Sequence, residues 1–169
     1  MAVRACRIPS SGVSWPVEFA MTEPSAEPGL LPRALEAGYG AVFRVIATLG
    51  LPPSFVVLLE TRGRRTGTVR ATVLLTATHN GQTYLVSVLG DGTDWVRNVR
   101  ADGGEATLRH GKRLRVRLDE VPPGERAPVL KAYLKWAFGA RRLFEVNHKA
   151  PVDDFERIAG RHPVFRIVA

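Results

Sequence analysis

The sequence predicts an α+β domain that is mainly β: a small barrel or strongly curled antiparallel sheet with helices packed outside it. Three observations carry that expectation. Strand-length apolar runs follow one another across short turn signals, residues 112–121 alternate apolar with basic side chains, and few amphipathic helices interrupt the strands. Strands joined by short turns pair antiparallel, and a twisted sheet of several such strands tends to close on itself.

From Leu30 to Leu49 the apolar residues Leu35, Tyr39, Val42, Phe43, Ile46 and Leu49 step at three and four, which predicts an amphipathic helix ended by Gly50 and Pro52-Pro53. Its expected role is to cover the sheet. Strands are predicted over Ser54–Glu60, Val69–Thr78 and Gln82–Leu89, the last two joined by Asn80-Gly81, a type I′ hairpin signal. These form a meander. After the Gly90–Asp94 loop a short helix runs from Trp95 to Ala101, with Trp95, Val96 and Val99 turned inward and no burial required of Arg97, Asn98 or Arg100. Residues 105–110 and 112–121 read as a hairpin turning near Gly111, with Leu114, Val116 and Leu118 on the buried face and Arg113, Arg115 and Arg117 on the basic one. A second amphipathic helix carries Leu130, Tyr133, Leu134, Ala137 and Phe138 on one stripe and stops at Gly139. Asp153 or Asp154 caps a short helix with Phe155, Ile158 and Ala159, and 163–168 is a final strand.

The length of 169 residues suits one domain with one core, at 45% hydrophobic and 24% charged. We expect that domain at 29–169. Residues 1–28 read as a leader broken by Pro9, Pro16, Pro24 and Pro28, with Met21 as an alternative natural start. Arg4 and Arg7 are followed by no apolar segment of the signal-peptide kind. The 24 Lys+Arg exceed the 16 Asp+Glu, a formal +8, which points to an anionic partner: nucleic acid, an acidic membrane surface or a small anion. Cys6 stands alone and the histidines His79, His110, His148 and His162 are scattered, so neither a disulfide framework nor a metal site is expected.

The charge concentrates in one turn. Thr61-Arg62-Gly63-Arg64-Arg65-Thr66-Gly67-Thr68-Val69-Arg70 joins two predicted strands, with glycines that permit close backbone approach and guanidinium forks suited to phosphate or carboxylate. A turn that only reversed the chain would need less charge. No nucleophile elbow, Walker loop or dinucleotide fingerprint is present, since Gly90-Asp91-Gly92 lacks the third glycine. No side chain is therefore assigned a catalytic role. If the chain is an enzyme, a bound redox cofactor supplies the reactive group.

This turn, the stretch Val86-Ser87-Val88-Leu89-Gly90 and the helix Trp95-Val96-Arg97-Asn98-Val99-Arg100-Ala101 together resemble the deazaflavin-dependent nitroreductase family of actinobacteria, which shares T-x-G-R-(K/R)-(S/T)-G-x-x-R followed by W-x-x-N-(L/V)-x-A. The resemblance runs from Leu30 to the C-terminus. It implies a split β-barrel of the FMN-binding-like kind that binds the deazaflavin coenzyme F-420, whose phosphate and oligoglutamate tail are anionic. It further implies that Arg64, Arg65, Thr66, Gly67 and Arg70 hold the phosphate and tail, that Val88, Leu89, Gly90 and Asp91 line the ring, and that Trp95 and Asn98 close the pocket. The implied reaction is hydride delivery to an electron-poor acceptor such as a quinone, an enone or a nitro compound. Tyr133 and Trp136 are candidates for the wall of an acceptor pocket, although Tyr133 also lies on the apolar stripe, where a core role is the commoner one. The chain departs from the family pattern at Val73-Leu74, where many relatives carry a proline, and in its short Gly90–Trp95 loop, so the resemblance does not extend to substrate class.

Two other readings stay open at this level: a flavin mononucleotide (FMN) enzyme on the same barrel, and a non-enzymatic basic barrel gripping nucleic acid by its backbone. The second is disfavoured because no aromatics are interleaved with the cations of 112–118. Location is expected to be cytoplasmic, with peripheral contact at the inner face of the membrane as an alternative resting on Arg33 and Arg44 beside the first helix's apolar face. Pairing into a homodimer is expected by analogy alone.

Overall fold

The computed structural model describes residues 33–168, with side chains from Ala41 onward. The leader predicted over 1–28, the start at Met21 and the side chains of Arg33, Leu35 and Tyr39 lie outside the described residues. The elements follow in the order α1 (Arg33–Leu49), β1 (Val56–Arg62), β2 (Val69–His79), β3 (Gln82–Val86), α2 (Asp94–Ala101), β4 (Glu105–His110), β5 (Lys112–Glu120), α3 (Ala127–Trp136), α4 (Val152–Ala159) and β6 (Val164–Val168). The six strands close into one antiparallel barrel in the order β1-β2-β3-β6-β5-β4.

Alternation along the strands decides what each face buries. In β1 the uninterrupted apolar run is buried on both sides: Val57 and Leu59 point into the barrel, while Val56 and Leu58 meet Ala47 of α1. The interior is filled by Leu85, Ala106, Val116, Leu118 and Phe165, and α2 closes one end with Trp95, Val96 and Val99. The Trp95 ring meets Phe165 edge to face at 5.3 Å. A second core lies outside the barrel, where Leu130, Tyr133 and Leu134 of α3 pack with Phe155 and Ile158 of α4 against Ala77, Val86 and Val164. At the β2–β3 turn Asn80 and Gly81 take φ of 48° and 74°, the left-handed pair that the hairpin signal requires. Among the described residues no helix is long and apolar enough to cross a membrane.

Several elements differ from the sequence expectation, each for a local reason. The third strand ends at Val86, not Leu89, because the Ser87 hydroxyl donates to the Gly90 carbonyl at 2.8 Å and turns the chain. Helix α1 rests on Phe43, Ile46 and Ala47, while Val42 and Leu49, expected on the packed stripe, are exposed. Leu114 is likewise exposed, unlike Val116 and Leu118 farther along β5. Helix α3 stops at Trp136, before Gly139, and Arg141 folds back to donate to the carbonyls of Leu134 and Lys135 at 3.0 and 3.1 Å. Phe138 therefore leaves the stripe and is exposed beneath the Arg141 guanidinium. Pro151 occupies the cap position of α4, which puts Asp153 and Asp154 in the first turn, where their charge faces the positive helix end.

Candidate functional site

The basic stretch forms the connection between β1 and β2. It is a tight loop: the Gly63 amide donates to the Thr68 carbonyl at 2.9 Å and the Gly67 amide to the Gly63 carbonyl at 2.7 Å. A Cβ on Gly63 would stand 3.0 Å from the Thr68 carbonyl oxygen, and Gly67 has φ of +67°, so the two glycines are favoured by close approach and by a left-handed backbone respectively. The loop projects Arg64, Arg65 and Thr66 to one side, beside Arg70 at the start of β2.

Helix α2 supplies the opposite wall. Asn98 is buried, and its amide oxygen accepts from both the Arg64 backbone N–H and the Arg64 guanidinium at 3.2 Å, while its amide nitrogen donates to the Thr61 hydroxyl at 3.4 Å. One side chain thus ties the end of β1, the loop and α2 together. Burial of Asn98 was not expected from the sequence, which shows a polar residue on a short helix and cannot reveal a partner more than thirty positions away. Asp94 makes a 2.9 Å ion pair with Arg64, and that contact, helped by Arg97 and Arg70 farther off, holds its carboxyl below the usual carboxylate range. Its contribution to stability is therefore complete above the ordinary carboxylate range and is lost only as pH falls through the lowered value.

Loop and helix enclose a cleft of about 390 Å³ lined by Arg64, Arg65, Thr66 and Arg70 on one side and Asp94, Trp95 and Asn98 on the other. Six of the sequence candidates converge there. Gly67 faces a neighbouring hollow of about 200 Å³ behind the loop. Val88, Leu89, Gly90 and Asp91 lie in the turn after β3 and do not line the cleft. Val88 packs against the outer core, Leu89 is exposed, and Asp91 pairs with Arg100 at 2.6 Å. A Cβ on Gly90 would meet the Arg161 carbonyl oxygen at 2.9 Å, so this turn is seated closely on the segment before β6. Beneath it the His162 ring stacks on Phe144 at 4.3 Å with Nδ1 3.3 Å from the Ser87 carbonyl oxygen, and burial holds its pKa below the usual value, leaving it neutral at pH 7.

Tyr133 and Trp136 do not share a wall. Tyr133 is buried among Leu130, Leu134 and Phe144, which pushes its phenol up to about 12, whereas Trp136 is exposed with Lys135 over its ring. Trp136 is the last residue of α3, where the chain leaves the helix.

The polar lining of the cleft, the guanidiniums of Arg64, Arg65 and Arg70 and the hydroxyls of Thr61, Thr66 and Thr72 against the carboxylate of Asp94, suits a ligand with several anionic oxygens. A family model described as F-420H(2)-dependent quinone reductase matches residues 40–134, from α1 through the basic loop and α2 to α3. The chain belongs to this family. It is accordingly an F-420-dependent reductase, with the deazaflavin as its coenzyme. Solved structures with similar folds include an F-420-H2 dependent reductase, FDR-A, 24% identical, with 67% of this chain and 93% of that chain covered at a TM-score of 0.44. A conserved hypothetical protein of Mycobacterium tuberculosis is 14% identical over 75% of this chain and 78% of its own, with a TM-score of 0.49. A domain-swapped dimer is 17% identical over 80% of this chain and 97% of its own, with a TM-score of 0.48. None of the curated proteins matches.

In this F-420-dependent reductase the clamp made by Asn98 gives a direct expectation. Replacing Asn98 with Ala leaves the Arg64 amide and the Thr61 hydroxyl short of a buried partner, which costs about 1–3 kcal/mol of stability. Thermal unfolding checks this, and coenzyme affinity should fall with it because the loop is no longer tethered to α2.

Proposed function

We propose that the reductase holds the phosphate and acidic tail of F-420 in the cleft between the basic loop and α2, and delivers the hydride of the reduced coenzyme to an electron-poor acceptor, a quinone before an enone or nitro compound. The observation that carries the reading is the convergence of Arg64, Arg65 and Arg70 on one cleft beside a helix end. The family description names a quinone, which sets the order of acceptors.

The reduced deazaflavin supplies the hydride. Arg65 and Arg70 bind the anionic oxygens, with the Thr66 hydroxyl as a further donor. Asn98 keeps Arg64 and the loop in place, and Trp95, fixed against Phe165, gives the cleft a rigid apolar wall that excludes water from one side. The turn at Val88–Asp91 is proposed to border the ring, steadied by the Asp91–Arg100 pair and the packing of Gly90 on Arg161. Solvent provides the proton that completes reduction of the acceptor, so no side chain has to act as an acid.

The test is anaerobic mixing of the full-length protein with reduced F-420 and, separately, a soluble benzoquinone, a cyclic enone and a nitroarene, following the return of the oxidised deazaflavin absorbance. The quinone should give the fastest protein-dependent oxidation. If none of the three exceeds the protein-free rate, the acceptor assignment is wrong.

A further inference from the structure

Within the cleft one group is of the wrong sign for an anion site. Asp94 opens α2, its side chain is 82% exposed, and its Oδ1 lies 2.9 Å from Arg64 Nη1, the same nitrogen that donates to Asn98 Oδ1 at 3.2 Å. Arg64 therefore has its Nη1 engaged on the protein itself. The neighbouring Arg65, Arg70 and Arg97 form no ion pair within 4.0 Å among the described residues. Asp94 stands where an anionic oxygen of a ligand would meet Arg64, with Arg97 and Arg70 also close enough to act on its charge.

We propose that Asp94 is an internal competitor for the coenzyme's phosphate, a carboxylate that occupies the Arg64 position of the anion site and is displaced when the ligand binds. This deepens the reading of the cleft given above and rests on it. Physically, a ligand anion entering the cleft must either break the Arg64–Asp94 pair or sit beside a like charge, and both weaken binding. Asp94 is mostly exposed and only Arg64 is partly covered, so solvent screens the pair from the carboxylate's side and the residue tunes affinity without blocking the site. A two-electron reductase that must exchange oxidised for reduced coenzyme in each turnover gains faster release from such a competitor. Position favours this role over a purely structural one: the carboxylate reaches across to the loop rather than back to the amides of its own helix, and the α2 cap residue, Thr93, makes no side-chain bond to those amides either.

The experiment titrates the full-length wild type, Asp94→Asn and Asp94→Glu with oxidised F-420 by fluorescence, with thermal unfolding of each variant in parallel. Asp94→Asn keeps the size and removes the charge, and should bind about tenfold more tightly, with slower coenzyme release. Asp94→Glu keeps the charge and should bind like the wild type. Inorganic phosphate, titrated alone by calorimetry, should likewise bind more tightly to Asp94→Asn than to the wild type. If the wild type binds the coenzyme and Asp94→Asn binds it equally or less tightly while remaining folded, the competitor role is overturned and the cleft assignment stands. If Asp94→Glu tightens binding as much as Asp94→Asn, shape and not charge is responsible, and the role is again overturned. If no variant binds the coenzyme, the cleft assignment itself fails and takes this inference with it.

Discussion

Replacing Arg65 and Arg70 together with Ala weakens binding of oxidised F-420 by at least about 100-fold, since charge-assisted hydrogen bonds contribute about 1.5–3 kcal/mol each and 1.4 kcal/mol is a factor of ten. Both residues are exposed and line the cleft without an ion-pair partner among the described residues. Their loss should leave the unfolding free energy within about 0.5 kcal/mol of the wild type. Arg64 is the weaker choice for this test, although it heads the same motif. It is paired with Asp94 and bonded to Asn98, so Arg64→Ala mixes lost ligand contacts with a loosened loop. Unchanged affinity in the folded Arg65/Arg70 double variant would return those guanidiniums to the status of surface charge.

The largest expected effect on stability lies away from the cleft, at Arg126. Its guanidinium is buried and fully engaged: Nε donates to the Val121 carbonyl at 2.7 Å, Nη1 to the Ala159 carbonyl at 3.2 Å and Nη2 to the Glu120 carboxylate at 3.0 Å. It joins the end of β5, the entry to α3 and the end of α4, so one cation fastens the helical layer to the barrel. Arg126→Ala strands the Val121 and Ala159 carbonyls, and buried acceptors left unpaired cost about 1–3 kcal/mol each, about 2–6 kcal/mol together, while the partly exposed Glu120 keeps Arg100. For a chain of this size, at about 2–4 °C per kcal/mol, that corresponds to an unfolding midpoint lower by roughly 4–24 °C. Differential scanning calorimetry of the two proteins checks it; a shift of a degree or two would mean that water replaces the guanidinium. Glu120 also binds Arg100 at 2.6 Å, and Arg100 binds Asp91 at 2.6 Å. The same network therefore reaches the turn after β3, and Arg126→Ala should also loosen that turn.

The barrel was legible because its signals are local. Asn80-Gly81 names its own hairpin, the alternation over 112–118 names a strand, and Gly63 and Gly67 mark a loop that needs close approach and a left-handed residue. The basic loop and the W-x-x-N helix were also visible, as was their place in one family. What escaped depends on partners distant in the chain. The burial of Asn98 and of Arg126 depends on the loop and the carbonyls that the fold brings to them. Val88 and Leu89 carry strand propensity, yet a hydroxyl of the preceding serine ends the strand first. The α1 stripe was misplaced on its helix, since periodicity gives the width of an apolar face and only the facing strand chooses which part of it is used. Asp94 ends the loop predicted before α2, and its contact with Arg64 becomes visible only with both walls of the cleft in place.

The measurement that tests the account most directly is a calorimetric titration of the full-length protein with oxidised F-420 and, in parallel, with FMN, each at two salt concentrations. Saturable binding of the deazaflavin that weakens as salt screens the loop, with no saturable binding of FMN, is the predicted result. Binding of FMN alone, or deazaflavin binding indifferent to salt, would contradict the assignment of the Arg64–Arg70 cleft as the seat of the coenzyme's anionic groups.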